Sequence, residues 1–199
     1  MICEFGTSCT GISTVSYEGK TYNTVQIGTQ CCLKENLDVG ATIGGSATQT
    51  NNSAIEKYCY NDDPANCATY GGLYQWNEAM QYSVSEASQG ICPIGWHIPT
   101  YAEFRTLKTS VNYDGNALKA VGQGTGGGAG TNTSGFSALQ SGGDDGGSFF
   151  NIGTSTYFWN STVYDTAYAD IITLTLIYSD IGFNYSLHFY GFSVRCLEN

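Results

Sequence analysis

The chain has 199 residues and a formal net charge of −10, with only 7 Lys and Arg against 17 Asp and Glu. This length suits one domain with a substantial core, and the scarcity of cations argues against nucleic acid or an anionic membrane as a partner. The 26 Gly, 15 Tyr and 9 Phe residues predict many turns around aromatic packing, rather than disorder or a coiled coil. No apolar run is long enough for a membrane span of roughly 18 residues, so no membrane insertion is expected.

The first half of the chain predicts one hairpin, one long loop and one helix. Residues 13–28 alternate as two short strands around Glu18 and Gly19, which favour a tight turn. Residues 40–56 are polar and rich in Gly, Thr and Asn, as is typical of a loop. In 71–82, apolar residues recur at helical spacing and predict a helix.

A second helix is predicted after Pro99 because Thr100 and Glu103 form a T-x-x-E capping box. Phe104, Leu107 and Val111 then place an apolar stripe on one face. The Gly-rich stretch 122–135 predicts a flexible surface loop, since no Lys follows and its glycine spacing is too irregular for a phosphate cradle.

The last sixty residues are predicted to be mostly β. From Ile171 to Ile177 the residues alternate, with Ile172, Leu174 and Leu176 on one face of a strand. Thr173 and Thr175 lie on the other face. One face is therefore expected in the core and its neighbour in solvent.

Residues 163–190 have a restricted composition: Lys, Glu, Gln, Met and Trp do not occur there. Every residue type present can be encoded by a codon that ends in C, and the five missing types cannot. Randomising the first two bases of AAC codons would leave this signature. The stretch is thus interpreted as a repertoire of surface side chains.

The flanking segments YFWNST (157–162) and GFSVRC (191–196), with GGLYQWNEAM (71–80) and GICPIGWHIPTYAEF (90–104), resemble the bacterial major paralogous domain family. Residues 17–37 and 57–74 also match, so the resemblance covers nearly the whole chain. It implies an α+β, C-type lectin-like fold with two helices, twisted antiparallel sheets and long Gly-rich loops. Cys32 departs from the family pattern, which usually has Trp there.

The C-terminal stretch is similar to variable proteins of diversity-generating retroelements, which copy a template with errors at adenines into the end of a lectin-fold gene. Ala169, Leu174 and Ser179 keep the expected scaffold identities, and Ile172, Leu176, Ile181 and Phe183 are left unassigned. The resemblance implies a variable region of about 163–190 that binds a protein or cell-surface ligand. The predicted variable positions are Tyr164, Asp165, Tyr168, Asp170, Ile171, Thr173, Thr175, Ile177, Tyr178, Asp180, Gly182, Asn184, Tyr185, Ser186, Leu187, Phe189 and Tyr190.

The eight cysteines predict disulfides and an oxidising compartment rather than a zinc site, because the sequence contains no CxxC pair. Cys59 and Cys67 can staple a short loop, and Cys92 and Cys196 lie near the two ends of the presumed lectin core. These two pairings are expected. The pairing of Cys3, Cys9, Cys31 and Cys32 stays open, with Cys32 as a candidate spare thiol.

The other chemistry-bearing residues are assigned structural roles. Trp76, Trp96 and Trp159 are predicted in the core, and His97 as a hydrogen-bonded structural residue. The acidic pairs at 62–63 and 144–145 are interpreted as solvated loops. Neither E-P-N nor Q-P-D, the calcium-dependent sugar motifs of this fold, occurs, so no metal and no cofactor are expected.

Residues 13–199 are predicted to form a single domain, preceded by an extension at 1–12 that packs on it or stands apart. A non-enzymatic, extracellular protein of a cell or virion surface is the first expectation. An undiversified glycan-binding or adhesin module is the alternative. The third is an enzyme like the formylglycine-generating enzymes, with Cys31 and Cys32 as adjacent thiols. The oligomeric state is left open.

Overall fold

A computed structural model of the chain describes residues 9–199, which form an α+β arrangement of short helices and two five-stranded sheets. The strands are β1 (Thr14–Tyr17), β2 (Lys20–Ile27), β3 (Gln30–Leu33), β4 (Ala41–Thr42), β5 (Glu56–Lys57), β6 (Trp96–His97), β7 (Ser141–Asp144), β8 (Phe149–Ile152), β9 (Ser155–Val163), β10 (Tyr168–Thr175), β11 (Gly182–Leu187) and β12 (Leu197–Glu198). The α-helices are α1 (Pro64–Tyr70), α2 (Trp76–Ala79) and α3 (Tyr101–Ser110). Single 3-10 turns occur at Tyr60–Asp62, Gly115–Ala117 and Gly126–Gly128.

The first sheet has the order β1-β2-β3-β12-β6, and all of its pairs are antiparallel. The second has the order β11-β10-β9-β7-β8, in which only β7 and β9 run parallel. Strands β4 and β5 form a separate short parallel pair. In the described helices, no segment is both long and apolar enough to cross a bilayer.

The predicted N-terminal hairpin is confirmed: β1 and β2 pair with Tyr17 opposite Lys20. The two turn residues, Glu18 and Gly19, both have positive φ (47° and 75°), as a two-residue hairpin turn requires. Part of the extension predicted at 1–12 lies outside the described residues. Its last portion is attached to the domain, because Cys9 is bonded to Cys31.

The predicted capping box at the start of α3 is confirmed. The Glu103 amide donates to Thr100 Oγ1 at 3.2 Å, and Glu103 Oε2 accepts from the Thr100 amide at 2.7 Å. The predicted stripe of Phe104, Leu107 and Val111 is buried. His97 lies beside this helix with Nε2 3.1 Å from Glu103 Oε1 and Nδ1 2.7 Å from Asn199 Oδ1, so its hydrogen-bonded structural role is confirmed.

The helix predicted over 71–82 is wrong, since α2 is a single turn of four residues. Before it, Leu73 and Tyr74 are extended and pair with Tyr58 and Phe192, so strand-like bridges bury the apolar side chains. After it, Gln81 and Tyr82 have positive φ (48° and 61°), which no α-helix accommodates. The apolar residues of 71–82 are therefore buried by contacts with several different elements, and not along one face of a helix.

The second sheet is covered on both faces, by two separate hydrophobic clusters. Trp159 and Ile171 pack into one cluster with Trp76, Trp96 and Phe192. Phe158, Ile172 and Leu174 pack into the other, together with the apolar stripe of α3. The prediction that all three tryptophans belong to the core is confirmed.

The C-terminal segment 191–198 joins the two sheets. Its residues pair in turn with Asp144, Tyr74 and Phe158, and then with residues of β3 and β6. Both expected disulfides are present, Cys59–Cys67 between the segment before α1 and α1 itself, and Cys92–Cys196 between the helical half and this segment. The end of the chain is therefore fixed at the centre of the molecule.

We expect the double variant Cys92→Ala/Cys196→Ala to lose about 4–5 kcal/mol of unfolding free energy, because the bond spans a sequence separation of 104 residues. The matched control is Cys59→Ala/Cys67→Ala, whose separation of 8 residues gives about 2.5 kcal/mol by the same loop-entropy relation. Urea unfolding of both variants measures the difference. Equal losses would contradict the entropic account.

Candidate functional site

Residues 163–190 form the outer part of the second sheet and the loops that adjoin it. They include strands β10 and β11, which pair from Tyr168 opposite Leu187 to Thr173 opposite Gly182. Strand β11 is the edge of the sheet, so one side of it has no neighbouring strand among the described residues. This stretch therefore lies at the surface along most of its length.

The predicted variable positions are mostly accessible. The exposed ones are Tyr164, Asp165, Ile177, Tyr178, Asp180, Asn184, Tyr185 and Phe189. The half-buried ones are Tyr168, Asp170, Thr173, Thr175, Gly182, Ser186, Leu187 and Tyr190. Large side chains contribute to this surface, since Tyr178 is 64% exposed and Tyr164 is 58% exposed.

Ile171 is the exception, and its predicted place on the surface is wrong. Its side chain is 4% exposed and packs in the cluster of Trp159. The β9–β10 register shifts between Ala169 and Ile171, and both sheet faces are covered at this point. The alternation of buried and exposed residues therefore fails at Ile171. Ile172 and Leu174 are buried, as the alternation predicts, and Leu176 is half-buried.

The remaining inner positions follow the packing. Ala169 and Leu174, assigned to the scaffold, are fully buried. Of the unassigned residues, Ile181 is buried and Phe183 is half-buried against the second cluster. Ser179 is exposed, so its contribution to the scaffold comes from its main chain, as described below.

A cleft of about 360 Å³ lies over the β10–β11 hairpin; we call it the hairpin cleft. Its lining residues are Thr173, Thr175, Tyr178, Ser179, Asp180, Gly182 and Asn184. They offer hydroxyl, carboxylate, amide and phenol groups without a cation. The cleft is thus formed entirely within the stretch whose composition is restricted.

A tyrosine cluster occupies the other end of the hairpin. The rings of Tyr164 and Tyr185 stack with centroids 4.2 Å apart, and Tyr168 meets Tyr185 edge-on at 5.5 Å. Asp170, opposite Tyr185, is half-buried, and burial, with a smaller contribution from Glu86, raises its pKa. This end offers aromatic faces, as paratopes do.

Lys119 holds the main chain of the loop at 176–178 from below. Its ammonium group is buried and donates to the carbonyl oxygens of Thr175 and Tyr178, both at 2.9 Å, and also to Gly128 O. Burial lowers the pKa of Lys119. All three donors of the ammonium group are used on backbone oxygens, none on a side chain of the loop.

Other donors from outside 163–190 bind the same loop through its backbone. The Thr125 amide donates to Leu176 O at 2.7 Å, and the Gly115 amide donates to Ser179 O at 2.6 Å. Lys108 Nζ donates to Ile181 O at 2.8 Å. Five carbonyl groups of this segment are therefore bound by donors that do not depend on its own side chains: those of Thr175, Leu176, Tyr178, Ser179 and Ile181.

The far end of the stretch is held in the same way. The Trp76 amide donates to His188 O at 2.9 Å, and Gln75 Nε2 donates to Phe189 O at 3.0 Å. The His188 ring stacks on the indole of Trp76 at 4.5 Å. Burial lowers the pKa of His188.

Sequence reasoning missed these anchoring residues. The stretch 122–135 was predicted as a flexible surface loop; it is a loop, but it packs against 176–178. A Cβ at Gly128 would overlap the backbone of Leu176 and Ile177, so this glycine is required by close approach of two main chains. The sequence signal for this anchor is Lys119 itself, a cation shortly before a Gly-rich segment.

The prediction that the acidic pair at 144–145 lies in a solvated loop is wrong for Asp144. Asp144 is buried, and its carboxylate accepts the amides of Gly146 and Gly147 at 3.3 and 3.1 Å. Burial raises its pKa. Asp62 and Asp63 are exposed, as expected of a loop. Among residues 9–199, no group of three or more His, Cys, Asp and Glu side chains is arranged to hold a metal ion.

The adjacent cysteines do not form a pair of reactive thiols. Cys31 is bonded to Cys9, and Cys32 has no disulfide partner within the described part of the chain. The Cys32 thiol is fully buried, and burial raises its pKa to about 12. A thiolate at this position would be strongly disfavoured at neutral pH.

Comparison with known families identifies one match, to the Fibrobacter succinogenes major domain, over residues 25–198. The chain belongs to this family. No curated protein sequence and no solved structure is significantly similar to it. The matched range contains the hairpin cleft, the tyrosine cluster and every anchoring residue described above.

We expect Lys119→Met to cost about 3 kcal/mol or more of unfolding free energy, because it leaves three buried or partly buried carbonyl oxygens without their donor. Arg105→Met is the control, since Arg105 is exposed and binds no carbonyl group of this loop, so its loss should cost less than about 1 kcal/mol. Urea unfolding measures both. A Lys119→Met variant as stable as the control would contradict the anchoring role.

The two histidines should respond to pH in opposite directions. Burial lowers the pKa of His97, but its contacts with Glu103 and Asn199 outweigh burial, so the pKa is raised overall. The stability that His97 adds is therefore present below the unfolded pKa of about 6.5 and is lost as pH rises through the folded pKa. For His188 the folded pKa is lowered, so the stability that depends on its neutral form is lost as pH falls below about 6.5.

Unfolding free energies of His97→Gln and His188→Gln, compared with the unmodified protein at about pH 5.5 and about pH 8, test this sign. The deficit of His97→Gln should be larger at the lower pH. The deficit of His188→Gln should shrink there. If the deficits in unfolding free energy of both variants changed in the same direction between the two pH values, these assignments would be contradicted.

Proposed function

We propose that this chain is a non-enzymatic binding protein whose surface at 163–190 recognises a protein or cell-surface ligand and is diversified by a retroelement. The proposal rests on one observation: the main chain of this stretch is fixed by hydrogen bonds from outside it. Backbone donors and the side chains of Lys108, Lys119 and Gln75 bind its carbonyl groups. Among the exposed positions of this stretch, only Asp165 and Asp180 form side-chain hydrogen bonds within the described residues, and the other exposed side chains form none.

The chemistry of the exposed positions supports recognition of a macromolecular surface. Tyr164, Tyr178 and Tyr185 each present more than half of their area to solvent, as does Ile177, next to Asp and Asn side chains. Tyrosine gives a large contact area at low conformational cost and a hydroxyl for directional bonds, which is why antibody loops favour it. The restricted residue alphabet of 163–190 adds support from a different source.

We propose the C-type lectin-like fold for this domain. Few short helices, curved antiparallel sheets and a last strand that returns to the centre of the molecule support it. We also propose that the protein functions in an oxidising, extracellular setting, on a cell or virion surface. Three disulfides within residues 9–199 support that placement.

The enzyme alternative is disfavoured by the state of the two adjacent cysteines. An oxidase like the formylglycine-generating enzymes would use paired thiols, whereas Cys31 is bonded to Cys9 and Cys32 is buried away from solvent. A disulfide and an inaccessible thiol at these positions supply no such pair.

A display experiment tests whether this surface tolerates diversification. In one library Tyr178, Asp180, Asn184 and Tyr185 are randomised together, and in the matched library the buried Ile171, Ile172 and Leu174 are randomised. We expect most members of the first library to resist proteolysis, because exposed substitutions typically change stability by less than about 0.5 kcal/mol. Most members of the second should be cleaved, since truncating each buried residue costs about 2–5 kcal/mol. Equal survival of both libraries would refute the proposal.

The genomic neighbourhood tests the diversification itself. We expect a reverse transcriptase gene and an adenine-rich near-copy of the 3′ end of this coding sequence, with differences between the two copies confined to adenines within codons 163–190. Sequence variation spread evenly over the gene would refute this. Glycan binding shared by relatives that differ at 163–190 would instead favour the undiversified glycan-binding or adhesin module.

A further inference from the structure

A second cleft, of about 390 Å³, lies away from the variable stretch; we call it the basic cleft. It is formed by the ends of β2 and β3, the C-terminal half of α1 and residues near 120, 137 and 195. None of its lining residues belongs to 163–190. Its volume is in the range of small-molecule sites.

The basic cleft concentrates the few cations of the chain. Lys20, Lys34 and Arg195 line it, and Lys57 lies behind it, bonded to the lining residue Asp38. These are four of the 7 basic residues in a protein of net charge −10. The local charge is therefore opposite in sign to that of the protein as a whole.

The carboxylates of the cleft are already engaged. Asp38 accepts from both Lys20 and Lys57. Glu35 accepts from the amide of Asn23 at 2.7 Å and from its side chain at 2.8 Å. Within residues 9–199, neither Lys34 nor Arg195 forms an ion pair with a carboxylate.

Arg195 is the group whose state is hardest to explain without a ligand. Its Nε and Nη2 donate to Asn36 Oδ1 at 3.2 and 2.6 Å, and its Nη1 donates to Phe136 O. These bonds leave two of the five guanidinium N–H groups without an acceptor in the described structure. The guanidinium is 4.2 Å from the Phe136 ring centroid, and Glu35 of the same cleft also favours its charged form, but no carboxylate of residues 9–199 forms an ion pair with it.

We infer that the basic cleft binds an acidic monosaccharide unit, whose carboxylate lies between Lys34 and the unused N–H groups of Arg195. A carboxylate there supplies an anionic hydrogen-bond acceptor in direct contact, which the buried guanidinium does not have among residues 9–199. Tyr70, Thr69 and Ser137 line the same cleft and offer an aromatic face and hydroxyls to the sugar ring. Because the cleft lies outside 163–190, this site does not depend on the proposed function.

Titration of the intact protein with glucuronate, glucose and acetate tests the inference, with the Arg195 Nε–H resonance as a reporter of the site. We expect glucuronate to bind and shift this resonance, acetate to bind more weakly, and glucose to leave it unchanged. Glucose binding as tightly as glucuronate would overturn the role of the charge. Acetate binding as tightly as glucuronate would overturn recognition of the sugar. No shift with glucuronate would overturn the site itself.

Two variants locate the interaction. Lys34→Gln should weaken glucuronate binding about tenfold or more, because it removes a charge-assisted hydrogen bond. Ala68→Glu, on the exposed face of α1 at the same cleft, should weaken it by adding a like charge. Arg105→Gln, an exposed cation of α3 remote from the lining set, is the matched control and should bind normally. Equal affinity in all three variants would overturn the assignment to this cleft.

Discussion

The path of residues 191–198 through the middle of the molecule is the constraint on which the rest of the structure depends. Gly191 pairs with Asp144 in the second sheet, and β12 inserts between β3 and β6 in the first. Cys196 carries the disulfide from Cys92, and Arg195 fills the space between Asn36 and Phe136 with its guanidinium. The segment therefore contacts strands of both sheets. The accessible stretch at 163–190 therefore ends where the most constrained part of the chain begins.

Neighbouring residues of this part of the chain thus have two different roles: some fix the main chain, and others form the accessible surface. Ile172 and Leu174 attach β10 to the cluster beneath it, and Lys119 fixes the loop that follows through carbonyl groups. Both devices act on the main chain or on inward-facing residues. The outward-facing residues, by contrast, make few contacts that the fold needs. Tyr178 is well exposed although its own carbonyl group is tightly held.

Local signals in the sequence were sufficient wherever local chemistry decided the structure. The turn at Glu18–Gly19, the capping box at Thr100 and the short Cys59–Cys67 loop all depend on residues near one another in the chain. Two wrong predictions, a surface position for Ile171 and a helix over 71–82, both concern residues whose structure depends on contacts distant in the sequence. Ile171 is buried because the sheet is covered on both sides, and α2 is short because Tyr74 pairs with a strand over a hundred residues away. The composition of 163–190 located the candidate surface, but the buried ammonium group that supports it could not be recognised without the three-dimensional arrangement.

The hydrogen bonds of Lys119 also limit the length of the loop between Thr175 and Tyr178. Its ammonium group spans the carbonyl oxygens of Thr175 and Tyr178, so the number of residues between them is fixed by the reach of one side chain. The amides of Thr125 and Gly115 impose the same spacing at Leu176 and Ser179. An insertion or deletion between 175 and 179 would displace at least one of these carbonyl groups into an unsatisfied, buried position. At the exposed positions of this loop, exchange of one side chain for another therefore leaves these hydrogen bonds of the main chain in place, whereas a change in loop length breaks at least one of them.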